Sequence, residues 1–294
     1  MKPVKFIHLL DRRVLRISGA EARIFLQGLV SNDMMRVSEN CAVYAALLTP
    51  QGKYLHDFFI LEFNNNFYLD CEANRIDDLF KRFKMFKLRS DIELEIVKNM
   101  EVTAFFGNYV YDNLPVKSSE GSAMQWLNGM LFTDPRLNSA GARAILPENS
   151  LKLSNLDFDL TPSTFEEYDT QRITLGLPDG SRDLVIDKSI LLESGFEELN
   201  GVDFDKGCYV GQELTARTKH RGLIKKRLIP VKFDGTPPES GTEIRKGDKI
   251  VGEVRSVAGS SALALLRLEA LDNPGQFNAG DTTLTLHKTE WANF

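Results

Sequence analysis

The sequence predicts an α+β protein that ends in a small all-β unit. Strand pairs, a long amphipathic helix and further strands follow one another over the first hundred residues, a β-β-helix-β pattern. From Leu228 onward the chain changes to short strands separated by Gly, Pro, Asn and Asp turns, which suits a small barrel or sandwich. The 294 residues, 43% apolar and 26% charged, correspond to about two domains, or three if one is small, with a substantial core.

Lys5 to Leu10 and Arg13 to Ile17 read as strands across a polar turn. Ser18 then caps a helix, with Glu21 completing a capping box, and Ala22, Phe25, Leu26 and Leu29 share its apolar face. The helix is expected to end near Asn32 and Asp33, which serve as a C-terminal cap or face a ligand. Ala42 to Leu48 and Tyr54 to Phe63 pair across Thr49-Pro50-Gln51-Gly52, and Phe67 to Cys71 adds a third strand. Asn74 to Leu88 forms an amphipathic helix. Ile76, Leu79, Phe80, Phe83 and Phe86 make its apolar side, opposite Lys81, Arg82, Lys84, Lys87 and Arg89. That basic side is either solvated surface or a site for an anionic ligand or acidic partner. Ile92 to Val97 and Glu101 to Phe106 are strands, and 111–141 is loop-rich. Thr161, before Pro162 at the first helical position, starts a helix carrying Phe165, Tyr168, Ile173 and Leu175, which Leu177-Pro178-Asp179-Gly180 ends. The closing strands are Leu228 to Phe233, Thr242 to Ile244, Ile250 to Val257, Ser261 to Leu268 and Thr282 to His287.

Bulk properties exclude several classes. A net charge of −5 argues against a generic nucleic-acid binder. Three cysteines are too few for a disulfide framework and fit a reducing compartment. The sequence shows no signal peptide, transit segment, membrane-length apolar run, GxGxxG or P-loop. The expectation is a bacterial cytoplasmic protein, or a mitochondrial matrix protein if the source is eukaryotic.

The chemistry concentrates in Lys206-Gly207-Cys208-Tyr209-Val210-Gly211-Gln212-Glu213, a Gly-bracketed thiol before a helix that begins around Gln212. A thiol reacts as its thiolate, and Lys206 and the helix N-terminus are the groups placed to favour that form. Gly207 and Gly211 permit positive φ or close backbone approach. Glu213 and Arg217 sit four apart and can pair. The alternative is a buried, inert cysteine. A metal site made by this chain alone is not expected, because there is no CxxC and Cys41 and Cys71 are distant. His220 as a base for the thiol matches no local spacing rule. Acids crowd 193–205, and then Arg217, Lys219, Arg221, Lys225, Lys226 and Arg227 follow without an acid. This basic stretch reads as a solvated connector or an acidic-partner site. For RNA it lacks the exposed aromatics that stacking needs.

The thiol octapeptide resembles the signature of the YgfZ family, in the folate-binding superfamily of the glycine-cleavage T-protein. Gly19 to Asp33, with its Phe25-Leu26-Gln27-Gly28 and Ser31-Asn32-Asp33, Leu48 to Lys53, Lys87-Leu88-Arg89, Arg172-Ile173 with Gly176 and Pro178, and Asn200-Gly201-Val202 are similar to other segments of that family, so the resemblance spans nearly the whole chain. It implies a three-part T-protein-like arrangement. A discontinuous folate-binding α+β domain (1–50 and 142–222) would carry an inserted ferredoxin-like α+β module (51–141), with a C-terminal β-barrel (223–294). It also implies a tetrahydrofolate-binding (or other reduced-folate-binding) accessory protein for assembly or repair of four-iron clusters. Its partners would be iron–sulfur assembly proteins and client enzymes, such as the radical enzyme that thiomethylates tRNA, with no nucleic acid or membrane bound directly. Cys208 would be the reactive group, with Lys206 its electrostatic neighbour and Gln212 and Glu213 orienting it. Gln27, Asn32, Asp33, Arg172, Tyr209 and Arg217 would line the folate pocket. Two positions depart from the T-protein enzyme. Its acidic pair is here His56-Asp57, and the segment that gives the pterin a carboxylate reads Arg172-Ile173-Thr174-Leu175-Gly176. Both argue against aminomethyl transfer, although a folate-dependent one-carbon transferase using Asp57 stays the alternative.

Overall fold

The computed structural model describes residues 3–153, 156–222, 224–272 and 275–292. The outermost residues of the expected domain limits, and residue 223 where the barrel was expected to begin, lie outside that set. The chain runs β1 (Val4–His8), β2 (Arg12–Ser18), α1 (Ala22–Gln27), β3 (Val43–Leu48), β4 (Tyr54–Phe63), β5 (Asn66–Glu72), α2 (Ile76–Lys87), β6 (Glu93–Val97) and β7 (Met100–Phe106). It continues through α3 (Val110–Asn113), β8 (Ala123–Trp126), β9 (Gly129–Thr133), β10 (Ala142–Pro147), α4 (Ser150–Leu153) and β11 (Leu160–Pro162), so the stretch read as loop-rich holds two short strands. Helices α5 (Phe165–Thr174), α6 (Gly180–Asp183) and α7 (Gln212–His220) lead to β12 (Lys226–Phe233), β13 (Glu243–Lys246), β14 (Lys249–Ala258), β15 (Ser261–Arg267), β16 (Phe277–Ala279) and β17 (Thr282–Leu286).

These strands form a five-stranded sheet ordered β3-β4-β5-β2-β6, a six-stranded sheet ordered β11-β1-β7-β10-β9-β8, and a closed barrel ordered β12-β15-β14-β13-β16-β17. β1 and β2 are neighbours in sequence but enter different sheets. By strand pairing, the continuous unit is 12–97, placed between β1 and β7 of the six-stranded sheet; residues 50 and 51, where the sequence reading divided the chain, lie in the β3–β4 turn within that unit.

Period-two alternation explains how the five-stranded sheet is covered on both faces. Val43, Ala45 and Leu47 with Phe58 and Ile60 face α1 and α2, where Phe25, Leu26, Leu79 and Phe83 complete one core. Tyr44, Ala46, Phe59 and Leu61 face the six-stranded sheet, meeting Phe106, Met130, Phe132 and Ile145. Each fully buried ring in these layers contributes roughly 1.5–3 kcal/mol. At the turn-proximal end of β4 the alternation breaks. Leu47 pairs with His56 and Leu48 with Tyr54, leaving Leu55 as a bulge residue. Asp57 therefore accepts the hydroxyls of Tyr44 (2.8 Å) and Tyr54 (2.7 Å) in the interior, while His56 Nε2 meets Asp78 of α2 at 2.8 Å.

Three local expectations are corrected. The first helix starts after Glu21 rather than at Ser18. Gly19 has φ +108°, and a Cβ there would lie 2.3 Å from the Asp91 carbonyl oxygen. Glu21 accepts the Asp91 amide (2.6 Å) in place of a capping-box bond. The helix then ends at Gln27, because the segment after it turns to hold another loop. Thr161 and Pro162 belong to edge strand β11, parallel to β1, where a proline's missing N–H is tolerated. Thr164 caps α5 instead, accepting the Glu167 amide at 3.2 Å. Phe86, expected in the core, is 41% exposed. The segment after the barrel is tied back to the residues that follow α5, where Trp291 Nε1 donates to the Leu175 carbonyl (2.7 Å) and the indole lies against Gly176 and Gly195.

Burial, with nearby Arg75, pushes the His56 imidazole down to about 4 against the attraction of Asp78. The unfolded chain then binds a proton that the folded one refuses between pH 6.5 and about 4, so stability falls as pH drops through that window. Thermal melts from pH 7 to about 4 should show that loss, and His56→Gln should flatten the slope; an unchanged slope would mean His56 is not its source.

Candidate functional site

The thiol loop is built by four segments that are far apart in sequence. Of the three cysteines, Cys208 is exposed, Cys41 half-buried and Cys71 buried, and burial raises the thiols of the latter two. Gly207 (φ +88°) and Gly211 (φ +85°) bracket Cys208, and Gly211 is the N-cap of α7. The second glycine also answers a steric demand. A Cβ on Gly211 would lie 2.5 Å from the Thr49 carbonyl oxygen and 3.1 Å from Gly52 Cα. A Cβ on Gly52, itself at φ +71°, would lie 2.8 Å from Leu214 Cβ. The β3–β4 turn and the start of α7 thus meet glycine to glycine.

Lys206 does a different job from the one expected. Its Nζ donates to the carbonyls of Gln27 (2.8 Å) and Val30 (2.5 Å), where α1 ends, and lies 4.9 Å from the Tyr209 ring centre. Burial pushes this ammonium down to about 8, although Asp33 and Asp203 oppose the shift. A cation on the free carbonyls past a helix is favourable. Lys206 therefore fastens the loop to α1, and its charge is spent on that anchorage.

The residues proposed to line a folate pocket serve the same scaffold. Gln27 Nε2 donates to Asp33 Oδ1 (2.9 Å) and the Lys206 carbonyl (3.1 Å), and its Oε1 accepts the Met34 amide (2.7 Å). Asp33 Oδ1 also accepts the Met35 amide at 3.0 Å. Asn32 is buried. Its Nδ2 donates to the carbonyls of Tyr44 and Asn200, both at 2.7 Å, and its Oδ1 accepts the Asp33 amide at 2.8 Å. Tyr209 buries its ring in the core, and its amide meets Gln212 Oε1 at 3.2 Å. Glu213 and Arg217 pair at 3.1 Å on the exposed side of α7. Arg172 lies elsewhere. It bonds Asp169 on its own helix (2.5 Å) and joins α5 to Asp183 (2.8 Å), the Leu177 carbonyl (2.9 Å) and Ser256 of the barrel (2.7 Å). Ser31, named only within a motif, proves a central clamp, donating to the Gly201 carbonyl (2.6 Å) and accepting the Ala46 amide (2.8 Å). Nothing in its spacing could have flagged it, since both partners are remote in sequence.

The interior between the sheets is a closed charge network. Asp70 accepts from Arg12 (2.5 Å) and Arg143 (2.8 Å), and Arg143 also reaches the Tyr168 hydroxyl (2.6 Å) and lies 4.4 Å over Phe59. Arg136 pairs bidentately with Asp134 (3.0 and 2.8 Å) and stacks on Phe59 and Tyr44. A pterin needs a carboxylate to accept its ring and amino N–H donors. Asp57 has both oxygens engaged by tyrosines, and the Thr174 hydroxyl donates to the Thr170 carbonyl of its own helix at 2.8 Å. A cavity beside Arg136, Tyr168 and Arg172 has a volume of about 10 Å³, room for a single water. These two positions offer a pterin no free carboxylate.

The basic stretch is partly neutralised by the acids before it: Lys219 pairs with Glu197 (2.8 Å) and lies 3.8 Å from the Phe204 ring centre, and Arg227 meets Glu198 and donates to the Leu192 carbonyl (2.7 Å). His220 is exposed at the end of α7. Among the described residues no cluster of three or more His, Cys, Asp or Glu side chains could hold a metal, and no helix is long and apolar enough to cross a membrane.

Residues 225–294 match the family described as the CAF17 C-terminal beta-barrel domain. The chain is similar to the iron–sulfur cluster assembly factor IBA57, mitochondrial, of Mus musculus, 31% identical over 93% of this chain and 80% of that one. The Homo sapiens protein of the same name is 31% identical over 92% and 79%. An IBA57 homolog of Neurospora crassa is 33% identical over 79% of this chain, which spans 54% of that longer protein. Among solved structures, the glycine cleavage system aminomethyltransferase T from Bartonella henselae superposes with a TM-score of 0.79 at 13% identity, over 99% of this chain and 86% of that one. The three-part T-protein-like α+β fold with its terminal barrel is thereby shown.

Gly211→Ala should lower stability by about 2 kcal/mol or more, since it adds a left-handed backbone penalty to a backbone clash. Urea unfolding measures that loss, and faster alkylation of Cys208 would report the loosened loop; a neutral result would mean the two turns are not held together.

Proposed function

The chain belongs to the IBA57 family of iron–sulfur cluster assembly factors, related to the bacterial YgfZ branch, and on that premise we propose that it assists iron–sulfur cluster assembly through the Cys208 thiol. The observation that carries this reading is an exposed cysteine held on a loop that Lys206, Gln27 and the Gly52–Gly211 contact fix in place. A mobile surface thiol needs no such framework. Thiolates are the natural ligands of iron–sulfur clusters. One exposed sulfur supplies one ligand, so the cluster is cargo, and a partner protein supplies the others. The clients that this reading implies are four-iron enzymes, among them radical enzymes that thiomethylate tRNA. The mitochondrial matrix is the compartment that fits the relatives' names for a eukaryotic source.

No step runs through a folate. The fold is shared with a folate-binding family, but the two positions that correspond to the T-protein's carboxylates, Asp57 and Thr174, are committed to tyrosines and to backbone. The same commitment removes Asp57 as the free carboxylate that one-carbon transfer would use.

Cys208→Ser should leave the circular dichroism spectrum and melting temperature unchanged, because the side chain is exposed, and should abolish rescue of four-iron enzyme activities in a strain lacking the homologue. Full rescue by the serine variant would overturn the role of the thiol. Calorimetric titration with tetrahydrofolate should give no saturable heat below about 1 mM ligand. Tighter binding would restore the pterin to the account.

A further inference from the structure

Large apolar side chains are exposed at nine positions among the described residues, and five of them, Ile24, Met35, Met85, Phe86 and Leu88, lie on α1, the turn that follows it and the end of α2. Contacts place Ile24, Met35 and Leu88 along α1, and a hydrogen bond joins that helix to the thiol loop. The outward stripe of α1 is Glu21, Ile24 and Gly28, all exposed. At one end Glu21 and Leu88 line the same surface cleft. At the other, the Gly28 carbonyl accepts the Val210 amide at 3.2 Å, two residues past Cys208. Met35 is held to the side of the stripe, since its amide bonds Asp33, which bonds Gln27, and Arg23 of α1 grips the Met34 carbonyl. From Glu21 to Gly28 the stripe rises only about 10 Å. Apolar groups so gathered on one face mark an interaction surface.

We propose that this stripe is the docking surface for the protein that shares a cluster with Cys208, and that this partner is acidic around its contact patch. The inference rests on the reading that Cys208 meets a cluster. A partner close enough to complete the cluster's ligands must cover the ground next to Cys208, and α1 is fastened to that loop through Gln27 and Gly28. The sign of the partner's charge follows from the rim. Lys84 and Arg89 are exposed and Lys87 half-buried beside the apolar group, with no carboxylate bonded to any of the three among the described residues, and these three cations outnumber the two exposed carboxylates at that end, Glu21 and Asp91. Among the described residues, Arg36, next to Met35, makes a loose contact with Asp203 at 3.8 Å.

The test measures binding of purified acidic iron–sulfur carrier proteins from the source organism, each loaded with a cluster, to the full chain at low and moderate salt. At least one carrier should bind wild type, and the Ile24→Asp, Met35→Asp pair should weaken that binding at least about tenfold. Lys84→Glu with Arg89→Glu should weaken it and reduce its salt dependence. Ile250→Asp on the barrel should change nothing. Both surface pairs alter exposed side chains, and circular dichroism checks that they fold. Unaltered binding by the Ile24/Met35 variant overturns the docking surface, and so does failure of every carrier at about 100 μM. So does sedimentation showing that the stripe instead joins two copies of this chain. The arms stay separate: loss of rescue by Cys208→Ser with intact binding by Ile24→Asp, Met35→Asp removes the surface and keeps the thiol, whereas full rescue by Cys208→Ser removes the thiol while the binding data still judge the surface.

Discussion

The contact between Gly52 and Gly211 sets where the thiol stands. Two turns with positive φ approach so closely that a Cβ on either would strike backbone or the base of a neighbouring side chain. That approach fixes the β3–β4 turn against the start of α7, and the loop that carries Cys208 has no freedom to swing at that end. Its other end is fixed by Lys206, whose ammonium sits on the carbonyls at the end of α1. Between two anchored ends a short Gly-bracketed loop can project only one side chain outward, and that side chain is Cys208. The order of this loop is therefore inherited from the five-stranded sheet and α1, not from the loop's own sequence.

The interior between the two sheets shows a second constraint with the opposite result. Charged and phenolic groups that a catalytic pocket would leave open are closed on one another: Arg12 and Arg143 on Asp70, Arg136 on Asp134, Tyr44 and Tyr54 on Asp57. A buried ion pair adds little net stability compared with apolar packing, but removing one partner strands a charge. Such a network specifies how two sheets sit together. A T-protein-like frame thus keeps its shape while the space between its sheets is given over to structure, and the exposed thiol of Cys208 stands outside that network.

Much of the fold was legible because its signals are local. Alternation in 42–48 and 54–63, the amphipathic run of α2 and the turn-punctuated strands after Leu228 depend only on near neighbours, and each appears where expected. The errors arise where a contact distant in sequence overrides a local pattern. Ser18 and Glu21 have the spacing of a capping box, but Gly19 packs on Asp91, a residue about seventy positions away, and that contact delays the helix. Thr161-Pro162 has the form of a helix start, but pairing with β1 draws it into a sheet.

The sequence by itself determined that a glycine-bracketed cysteine precedes a helix and that the chain is α+β with a β-rich end, and its family resemblance implied that motifs at 25–33, 48–53 and 200–213 belong together. It could not say what those motifs do for one another. Only the tertiary structure decided that Lys206 and Gln27 fasten the loop, that Asn32 and Asp33 brace the turn beside it, and that Arg172 ties α5 to the barrel. The reason is that a polar side chain's role is set by the partner that satisfies its hydrogen bonds. For Gln27 and Lys206 that partner lies 179 residues away along the chain, a distance no local pattern encodes.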